Sequence, residues 1–535
     1  MPQNTDKTVY LLASGDSRPA VNEICWAAQE TMEKQLTAAV EHFGWAVVRA
    51  HPYKPEQKHG FLASQREGLD VMSKIPAGAP VIVAESVRQC PHHIYPGLLL
   101  HKGPILTVAD WSPARRGLAG LLNLNGCLIK AGREFSTLWS GDFTDARFRS
   151  RMRIWLKKGI FKHKNEHVKK FKSVNLNSID RRIGKHLAKE LRDSKPIIGI
   201  FNEGCTGMYN TLIQDELLFP LNIFKERLSQ SALYYATMDV SDEEAEEIEQ
   251  WCIGKGLTFH YGTDPATELT RGQVLLQCKM YIAAVHLAAE FGCSLIGIQE
   301  QPGSGDLLPA SGFAEGLMNN AHRPPVKDEN GNVLFDGKPL MHFSEIDEGA
   351  ALDALLNNRV ADALGQPVET MPYDVRWGAI DPTGTVDGFV WLFMISGAAP
   401  PAHLEKNWKG SHARRQSPMF FKKGGAALTG TGRPGEIVWS RLCVAAGKLR
   451  LDLGRGRCVS LPKKEMKRRA ESADTEYPVV NAVLDGVSRD QFMSRQPANR
   501  IQIVYADSAE EANRMLAVKG AMAEELGIKV YTCGL

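Results

Sequence analysis

Short apolar strands alternate with helix-like segments along the first 140 residues, and this alternation constrains the fold more than any other feature of the chain. The predicted strands are TVYLLAS, WAVVRA, APVIVAES and GPILTVAD, and the segment VNEICWAAQETMEKQLTAAVEHFG has the apolar spacing of a helix. Such an alternation predicts a parallel sheet that is covered by helices on both faces. Ligands bind at the carboxyl ends of the strands in sheets of this kind, so the loop that carries Arg18 lies at a candidate binding edge.

A second alternating unit covers residues 195–340. The predicted strands are PIIGIFNEG, ALYYATMDV, LTFHYG and SLIGIQEQ. The segment 207–230 is predicted to be largely helical, and the segments SDEEAEEIEQWCIGKG and TRGQVLLQCKMYIAAVHLAAEFG are predicted helices. This pattern indicates a second doubly wound unit. The stretch NEGCTGMYN lacks the lysine and the spacing of a phosphate-binding loop, so it gives only weak support to a nucleotide site.

The last third of the chain changes character. After a predicted helix at 346–363 come strands punctuated by glycine, with few helices, which favours an antiparallel barrel or sandwich. A chain of 535 residues is too long for one hydrophobic core, so two or three domains are expected. The predicted fold class is α/β, with two doubly wound Rossmann-like domains (1–172 and 173–345) followed by a mostly β, barrel-like C-terminal domain (346–535).

Composition and charge are those of an ordinary globular protein. The net charge of +3 gives no argument for a nucleic-acid or membrane partner. The chain shows no signal peptide and no apolar run of the ~20 residues that a bilayer requires. Its ten cysteines include no CxxC pair, which is typical of free thiols in a reducing compartment. We therefore expect a cytoplasmic protein.

Residues 147–189 are strongly basic and have two interpretations. One is a surface that binds nucleic acid. The other, which we favour, is a solvated connecting helix or a subunit contact. The aromatic residues Trp155, Phe161 and Phe171 are spaced for packing rather than for stacking on bases, and this spacing supports the second interpretation.

Two acidic residues in the second half of the chain are candidates for a shared site. Glu345 lies in HFSEIDEGAALDALL, which reads as a loop that leads into a helix, and Asp374 lies in MPYDVRWGA, which reads as a strand. Two carboxylates beside a divalent metal suit enediol chemistry on a sugar, and oxygen ligands favour Mg²⁺ or Mn²⁺ over zinc. Structural roles are also open, because Glu345 suits a helix start and Asp374 could pair with Arg376.

Several segments together resemble the L-fucose isomerase family, which shares a fold with L-arabinose isomerase. FSEIDEGAALDALLNN resembles the segment with the family's first metal-binding glutamate, here Glu345, and YDVRWG resembles the segment with the second ligand, here Asp374. The loop FFKKGGAALTG and the strand GKLRLDLGRGRCVSLPK also resemble family segments. The resemblance covers most of the chain at low similarity. The resemblance implies aldose–ketose isomerisation through an enediol. Glu345 and Asp374 would hold Mn²⁺ (or Mg²⁺) and transfer protons.

The resemblance also maps residues that would bind the substrate. MISGAA is similar to a family segment at Ser396, and IGIQEQ is similar to a strand end with a substrate-facing glutamine, here Gln301, with Gln299 as the alternative. SRPAVNE is similar to the loop that brings an arginine, here Arg18, into a neighbouring subunit's site. We therefore expect a homo-oligomer, a trimer or hexamer, with a small-molecule carbohydrate as its ligand and no nucleic-acid or membrane partner.

The chain departs from the family at the third metal ligand. The family's late histidine follows an asparagine, whereas here Asn499 is followed by Arg500, and the last histidine of the chain is His412. Arginine stays protonated and has no acceptor atom, so it cannot ligate a cation. The glycine-rich loop lacks the family's tyrosine and carries Lys422 and Lys423 just before its glycines.

Three explanations of these departures are open. The first is an isomerase whose substrate is anionic, a sugar phosphate or sulfonate that would be bound by Arg500, by Lys422 and by Arg88, which stands where the family has a tryptophan. In the second, Arg500 replaces the metal and supports other proton-transfer or carbon–carbon bond chemistry on a carbohydrate acid or phosphate. The third is a sugar-binding protein without catalysis. The lysines are equally compatible with plain surface solvation.

Overall fold

The protein is mixed α/β, with 42% helix, 24% strand, sheets of parallel strands and a mostly β C-terminal region. The computed structural model describes residues 7–86, 91–115, 117–173, 177–202, 207–299, 304–395, 397–473 and 477–535. Within these ranges no helix has both the length and the apolar composition needed to cross a bilayer.

The helices and strands are numbered here in chain order. The strands are β1 (Thr8–Leu12), β2 (Ala46–Arg49), β3 (Val81–Glu85), β4 (Ile105–Asp110), β5 (Ser136–Ser140), β6 (Val168–Lys170), β7 (Ile197–Phe201), β8 (Phe224–Leu228), β9 (Thr258–Phe259), β10 (Cys293–Ile298), β11 (Met341–His342), β12 (Thr370–Ile380), β13 (Phe389–Ile395), β14 (His412–Arg415), β15 (Ala426–Thr429), β16 (Gly435–Ala445), β17 (Lys448–Cys458), β18 (Val479–Leu484), β19 (Arg500–Ala506) and β20 (Lys529–Cys533). The helices are α1 (Pro19–Glu41), α2 (Gln65–Lys74), α3 (Tyr95–Leu100), α4 (Gly117–Ala131), α5 (Ala146–Lys158), α6 (Ser178–Ser194), α7 (Asp215–Leu218), α8 (Gln230–Asp239), α9 (Asp242–Lys255), α10 (Arg271–Glu290), α11 (Gly312–Met318), α12 (Glu348–Ala363), α13 (Lys463–Ser472), α14 (Arg489–Arg495) and α15 (Ala509–Glu525).

The first sheet has the strand order β2-β1-β3-β4-β5, and all of its pairings are parallel. Strands β3 and β4 are buried along their whole length, as expected for central strands with apolar side chains on both faces. The prediction of a parallel sheet in the first 140 residues is therefore confirmed.

The second sheet is also parallel, with the order β11-β10-β7-β8. Two predictions in this region are wrong. Instead of a long helix, the segment 207–230 has the four-residue helix α7, a 3₁₀ turn at Phe219–Leu221 and the strand β8, because the left-handed Asn222 ends the helical path. The segment 232–240, predicted as a strand, lies largely in α8, whose buried residues Leu233 and Thr237 are one helical turn apart.

The C-terminal region contains a closed ring of six strands. Its order is β16-β19-β12-β13-β18-β17, each pairing is antiparallel, and β17 returns to pair with β16. Closure leaves these strands without a free edge. Strand β20 extends the sheet from β17, and β6, which precedes the predicted boundary at residue 172, pairs with β20. Helices α13, α14 and α15 also belong to this region.

The aromatic residues of the basic segment pack inside the protein. Trp155, Phe161 and Phe171 are all buried, which confirms that they are spaced for packing. Each cysteine among the described residues is buried except Cys25, which is half-buried.

A buried lysine joins the helices of the C-terminal region to its barrel. Lys519 of α15 donates hydrogen bonds to Asp353 and Asn357 of α12 and to Ser440 of β16. Burial lowers the pKa of Lys519, and Asp353 opposes that shift. Because both charged side chains are almost fully buried, each depends on the other as its counter-ion.

We predict that Lys519→Met destabilises the protein by about 3–5 kcal/mol, because Asp353 is then left as an uncompensated buried charge. The double variant Lys519→Met/Asp353→Asn should recover part of the loss. The measurement is the urea midpoint of unfolding. Lys529→Met, at an exposed position of β20, serves as the matched control and should change little. An equal and small effect of both single variants would show that Asp353 does not depend on Lys519.

Candidate functional site

Asp374 and Arg500 are brought together by the register of two antiparallel strands. They lie directly opposite each other on β12 and β19. Side chains of directly opposed residues lie on the same face of a sheet, with Cβ atoms about 4.5–5.5 Å apart. Nε of Arg500 donates to Oδ1 of Asp374 at 2.8 Å, so the register itself creates this ion pair.

Glu345 reaches the same place from a strained turn. The turn Ser344–Ile346 follows the edge strand β11, and both Glu345 and Ile346 have φ values near +50°. Left-handed backbone is costly for residues with a side chain, and such strain is concentrated at functional sites. It also explains why α12 begins at Glu348, two residues later than the predicted helix at 346–363.

The guanidinium of Arg500 connects the two acids. Besides its bond to Asp374, it donates from Nη2 to Oε2 of Glu345 at 2.6 Å and from Nη1 to the carbonyl of Ser344 at 3.0 Å. Burial opposes the charge on Arg500, but the carboxylates of Asp374, Glu345 and Asp347 outweigh it and raise the pKa of the guanidinium. Arg500 therefore carries a permanent positive charge between two acids.

The side chains of Arg500, Asp374 and Glu345 differ in how far they are exposed to solvent. The side chain of Arg500 is 3% exposed, that of Asp374 is 12% exposed and that of Glu345 is 28% exposed. Of the three side chains, Glu345 is therefore the most accessible to a ligand from solvent and Arg500 the least.

Both ends of the strained turn are anchored by ionic groups. Before it, the hydroxyl of Ser344 donates to Oε2 of Glu315 on α11 at 2.9 Å. After it, Asp347 caps α12 and accepts two hydrogen bonds from Arg441, at 2.7 and 2.9 Å. These contacts hold the backbone of Glu345 in a conformation that the residue would not adopt alone.

Glu315 is itself held as a buried carboxylate. Burial favours its protonated form, but His342 and the hydroxyls of Ser311 and Ser344 outweigh burial and lower the pKa of Glu315. Nδ1 of His342 lies 3.2 Å from Glu315 Oε2, and its Nε2 accepts from the backbone N–H of Ile298 at 3.0 Å. The second sheet thus supports the turn through Glu315.

Asn499 links the site to helix α4. Its side-chain nitrogen lies 3.3 Å from Oδ1 of Asp374, and its backbone N–H donates to Asn123 of α4 at 3.3 Å. Asn210 donates to the same Asn123 oxygen at 3.2 Å. Oδ1 of Asn499 is buried and has no hydrogen-bond partner among the described residues, so within that part of the chain it is an acceptor open to a ligand next to Asp374.

The structure therefore brings together four of the residues predicted for the site: Glu345, Asp374, Asn499 and Arg500. Arg18 lies elsewhere, paired with Asp16 at 2.7 Å, and its guanidinium lies 4.7 Å from the ring of Phe420 in its own chain.

The remaining predicted residues are not joined to this group. Lys422 is exposed in the turn after β14, and within the described residues it forms no ion pair with the two acids. Gln301, Ser396 and Arg88 lie outside the described residues. Gln299, the alternative to Gln301, is buried just after β10.

A divalent metal does not fit the acids as they are arranged. No group of three or more His, Cys, Asp or Glu side chains in the described part of the chain is placed to hold a metal ion. Both Glu345 and Asp374 accept hydrogen bonds from Arg500, which has no lone pair to offer and repels a cation. Mn²⁺ (or Mg²⁺) at this pair stays a prediction that the donor set does not support.

Comparison with known proteins does not identify the chain. No protein-family model matches it, and no curated protein matches its sequence. The resemblance to the L-fucose isomerase family therefore stays a prediction, and so do the roles that it implies for individual residues.

Three residues of the site are not among those predicted from the sequence: Glu315, Asn123 and Arg441. The sequence does contain an indication of Glu315, because an acid inside the apolar run GFAEGLM is unusual unless it is paired. Asn123 and Arg441 lie in a helix and a strand where their residue types are ordinary. Their contacts depend on long-range packing that local patterns do not show.

We predict that Glu345→Gly is more stable than Glu345→Ala by about 1 kcal/mol, because glycine adopts positive φ without steric cost. Both variants lose the same ion pair with Arg500, so their difference reports the backbone alone. Urea unfolding of the two proteins gives this difference. Equal stability, or a more stable alanine variant, would contradict the left-handed conformation of Glu345.

Proposed function

We propose that the protein is an enzyme that converts an open-chain aldose into a ketose by proton transfer, with Glu345 and Asp374 as the acid–base pair. The observation that supports it best is the strained Glu345, held beside Asp374 by a buried guanidinium and open to solvent. Catalytic groups are often placed in this way, in a backbone conformation that the surrounding structure imposes.

We further propose that the chain belongs to the L-fucose isomerase family as a divergent member. The two parallel sheets would correspond to doubly wound Rossmann-like domains at 1–172 and 173–345, and the closed ring of strands to the C-terminal domain at 346–535. The order of the sheets along the chain supports this arrangement. A cytoplasmic homo-oligomer, a trimer or hexamer, is part of the same proposal.

The proposed reaction moves two protons and shifts the carbonyl double bond from C1 to C2, and it breaks no bond between heavy atoms. Glu345 removes the proton on C2 of the aldose, which is acidic because C1 is a carbonyl carbon, and returns it to C1. Asp374 assists the transfer of the hydroxyl proton from O2 to O1. Glu345 takes the carbon proton because it is the more exposed acid, and Asn499 Oδ1 is placed to accept a hydrogen bond from a substrate hydroxyl.

Arg500 supplies the counter-charge for the two acids in this reaction. Two carboxylates that share a site repel each other, and without a counter-charge one of them would hold a proton. The guanidinium donates to both acids, so a positive charge stands between them and offsets their repulsion.

The buried position of Arg500 bears on the anionic-substrate hypothesis. Its guanidinium is already bound to Glu345, Asp374 and the carbonyl of Ser344. It is therefore not placed to form two parallel hydrogen bonds with a phosphate or sulfonate. The geometry thus favours Arg500 in place of the metal over Arg500 as the binding group for an anionic substrate. Carbon–carbon bond chemistry and sugar binding without catalysis remain the competing functions.

We predict that Glu345→Gln lowers turnover at least ~10²–10⁴-fold, because the amide cannot remove a proton. The assay incubates the purified protein with a panel of aldoses in D₂O and follows loss of the C2 proton and growth of ketose signals by NMR. Glu510→Gln, at an exposed position of α15, is the matched control and should retain full activity.

Other outcomes of this assay separate the competing functions. A product with a different number of carbons would indicate carbon–carbon bond chemistry. Calorimetric binding of a sugar without proton exchange or product would favour a binding protein. If Glu345→Gln and the wild type exchange the C2 proton equally, the proposed role of Glu345 is wrong.

A further inference from the structure

We infer that Arg500 takes the place of a metal ion at the Glu345–Asp374 pair, so that the site works without a divalent cation. The inference rests on the proposed function for its chemistry, but its structural content concerns metal binding alone. The two carboxylates are arranged around a centre of positive charge, and the guanidinium is that centre.

The position of the guanidinium excludes an ion beside it. Its nitrogens lie 2.6 Å from Glu345 Oε2 and 2.8 Å from Asp374 Oδ1, so one oxygen of each acid is already bound to the guanidinium. A divalent ion would need oxygen atoms at about 2.0–2.2 Å and would stand against a fixed positive charge. To free these two oxygens, Arg500 would have to move out of its buried position.

The fold makes that movement costly. Arg500 lies opposite Asp374 in the strand pairing, its backbone carbonyl accepts from Gln496 at 2.7 Å, and its side chain is almost fully buried. Moving the guanidinium would take a hydrogen-bond donor away from two partly buried carboxylates and from the carbonyl of Ser344. The arginine is therefore a fixed part of the site.

The replacement changes the electrostatics of the site in a defined way. Two carboxylates with a divalent ion are formally neutral, whereas two carboxylates with one guanidinium carry a formal charge of −1. The fixed positive charge of Arg500 can stabilise the negative charge of a developing enediolate, which is the role that a metal ion would otherwise have.

The test is Mn²⁺ binding, measured by calorimetry and by electron paramagnetic resonance on the full-length protein. The wild type should bind no stoichiometric Mn²⁺ and should keep its activity in EDTA. Arg500→His should gain one site, because a neutral imidazole adds a ligand and removes the repelling charge. The gain in affinity should exceed the ~10–100-fold changes that substitutions around a metal shell produce.

Two control variants make the assignment specific. Arg500→His/Asp374→Asn should lose the new site, because one carboxylate ligand is gone. Arg153→His, at an exposed position of α5, should gain none, which shows that an added histidine is not sufficient.

The wild type alone can overturn the inference, even if Arg500→His does not fold. Stoichiometric Mn²⁺ in the wild type that is lost in Asp374→Asn would show that the acids still hold a metal. A folded Arg500→His that binds no Mn²⁺ would show that position 500 is not a metal-ligand position. The absence of aldose turnover, by contrast, would count against the proposed function and leave the metal measurement intact.

Discussion

The site depends on one interaction, the bridge that Arg500 makes between Glu345 and Asp374. Asp374 arrives on a barrel strand directly opposite Arg500, whereas Glu345 arrives on a strained turn that follows the second parallel sheet. Arg500 joins these two parts of the fold through 2.6 and 2.8 Å contacts. The strained turn and the barrel strand therefore meet at the same guanidinium.

Several features could be predicted from the sequence because they are local. Alternating apolar strands and helices indicated the parallel sheets, and glycine-punctuated strands indicated a mostly β C-terminal region. The strand prediction for 232–240 is wrong. Tyr234 and Tyr235 favour strands, while the burial of Leu233 and Thr237 in the folded protein favours a helix. Tertiary packing overrides weak local preferences of this kind.

The site could be predicted only in part. Glu345, Asp374, Asn499 and Arg500 were expected near one another from family resemblance, and the structure shows their contacts. No local pattern reveals that Asp374 and Arg500 are cross-strand partners, because the pairing joins residues 126 apart in sequence. The local sequence does not predict the left-handed backbone at Glu345 either, because contacts with Glu315 and Arg441 of other elements hold it.

The most direct test of the central claim is anomalous X-ray diffraction from crystals of the wild-type protein soaked in Mn²⁺. We predict no anomalous peak between Glu345 and Asp374, and density for Arg500 that contacts both carboxylates. A manganese peak bound by both acids, with Arg500 turned away from them, would contradict the claim that the arginine takes the place of the metal.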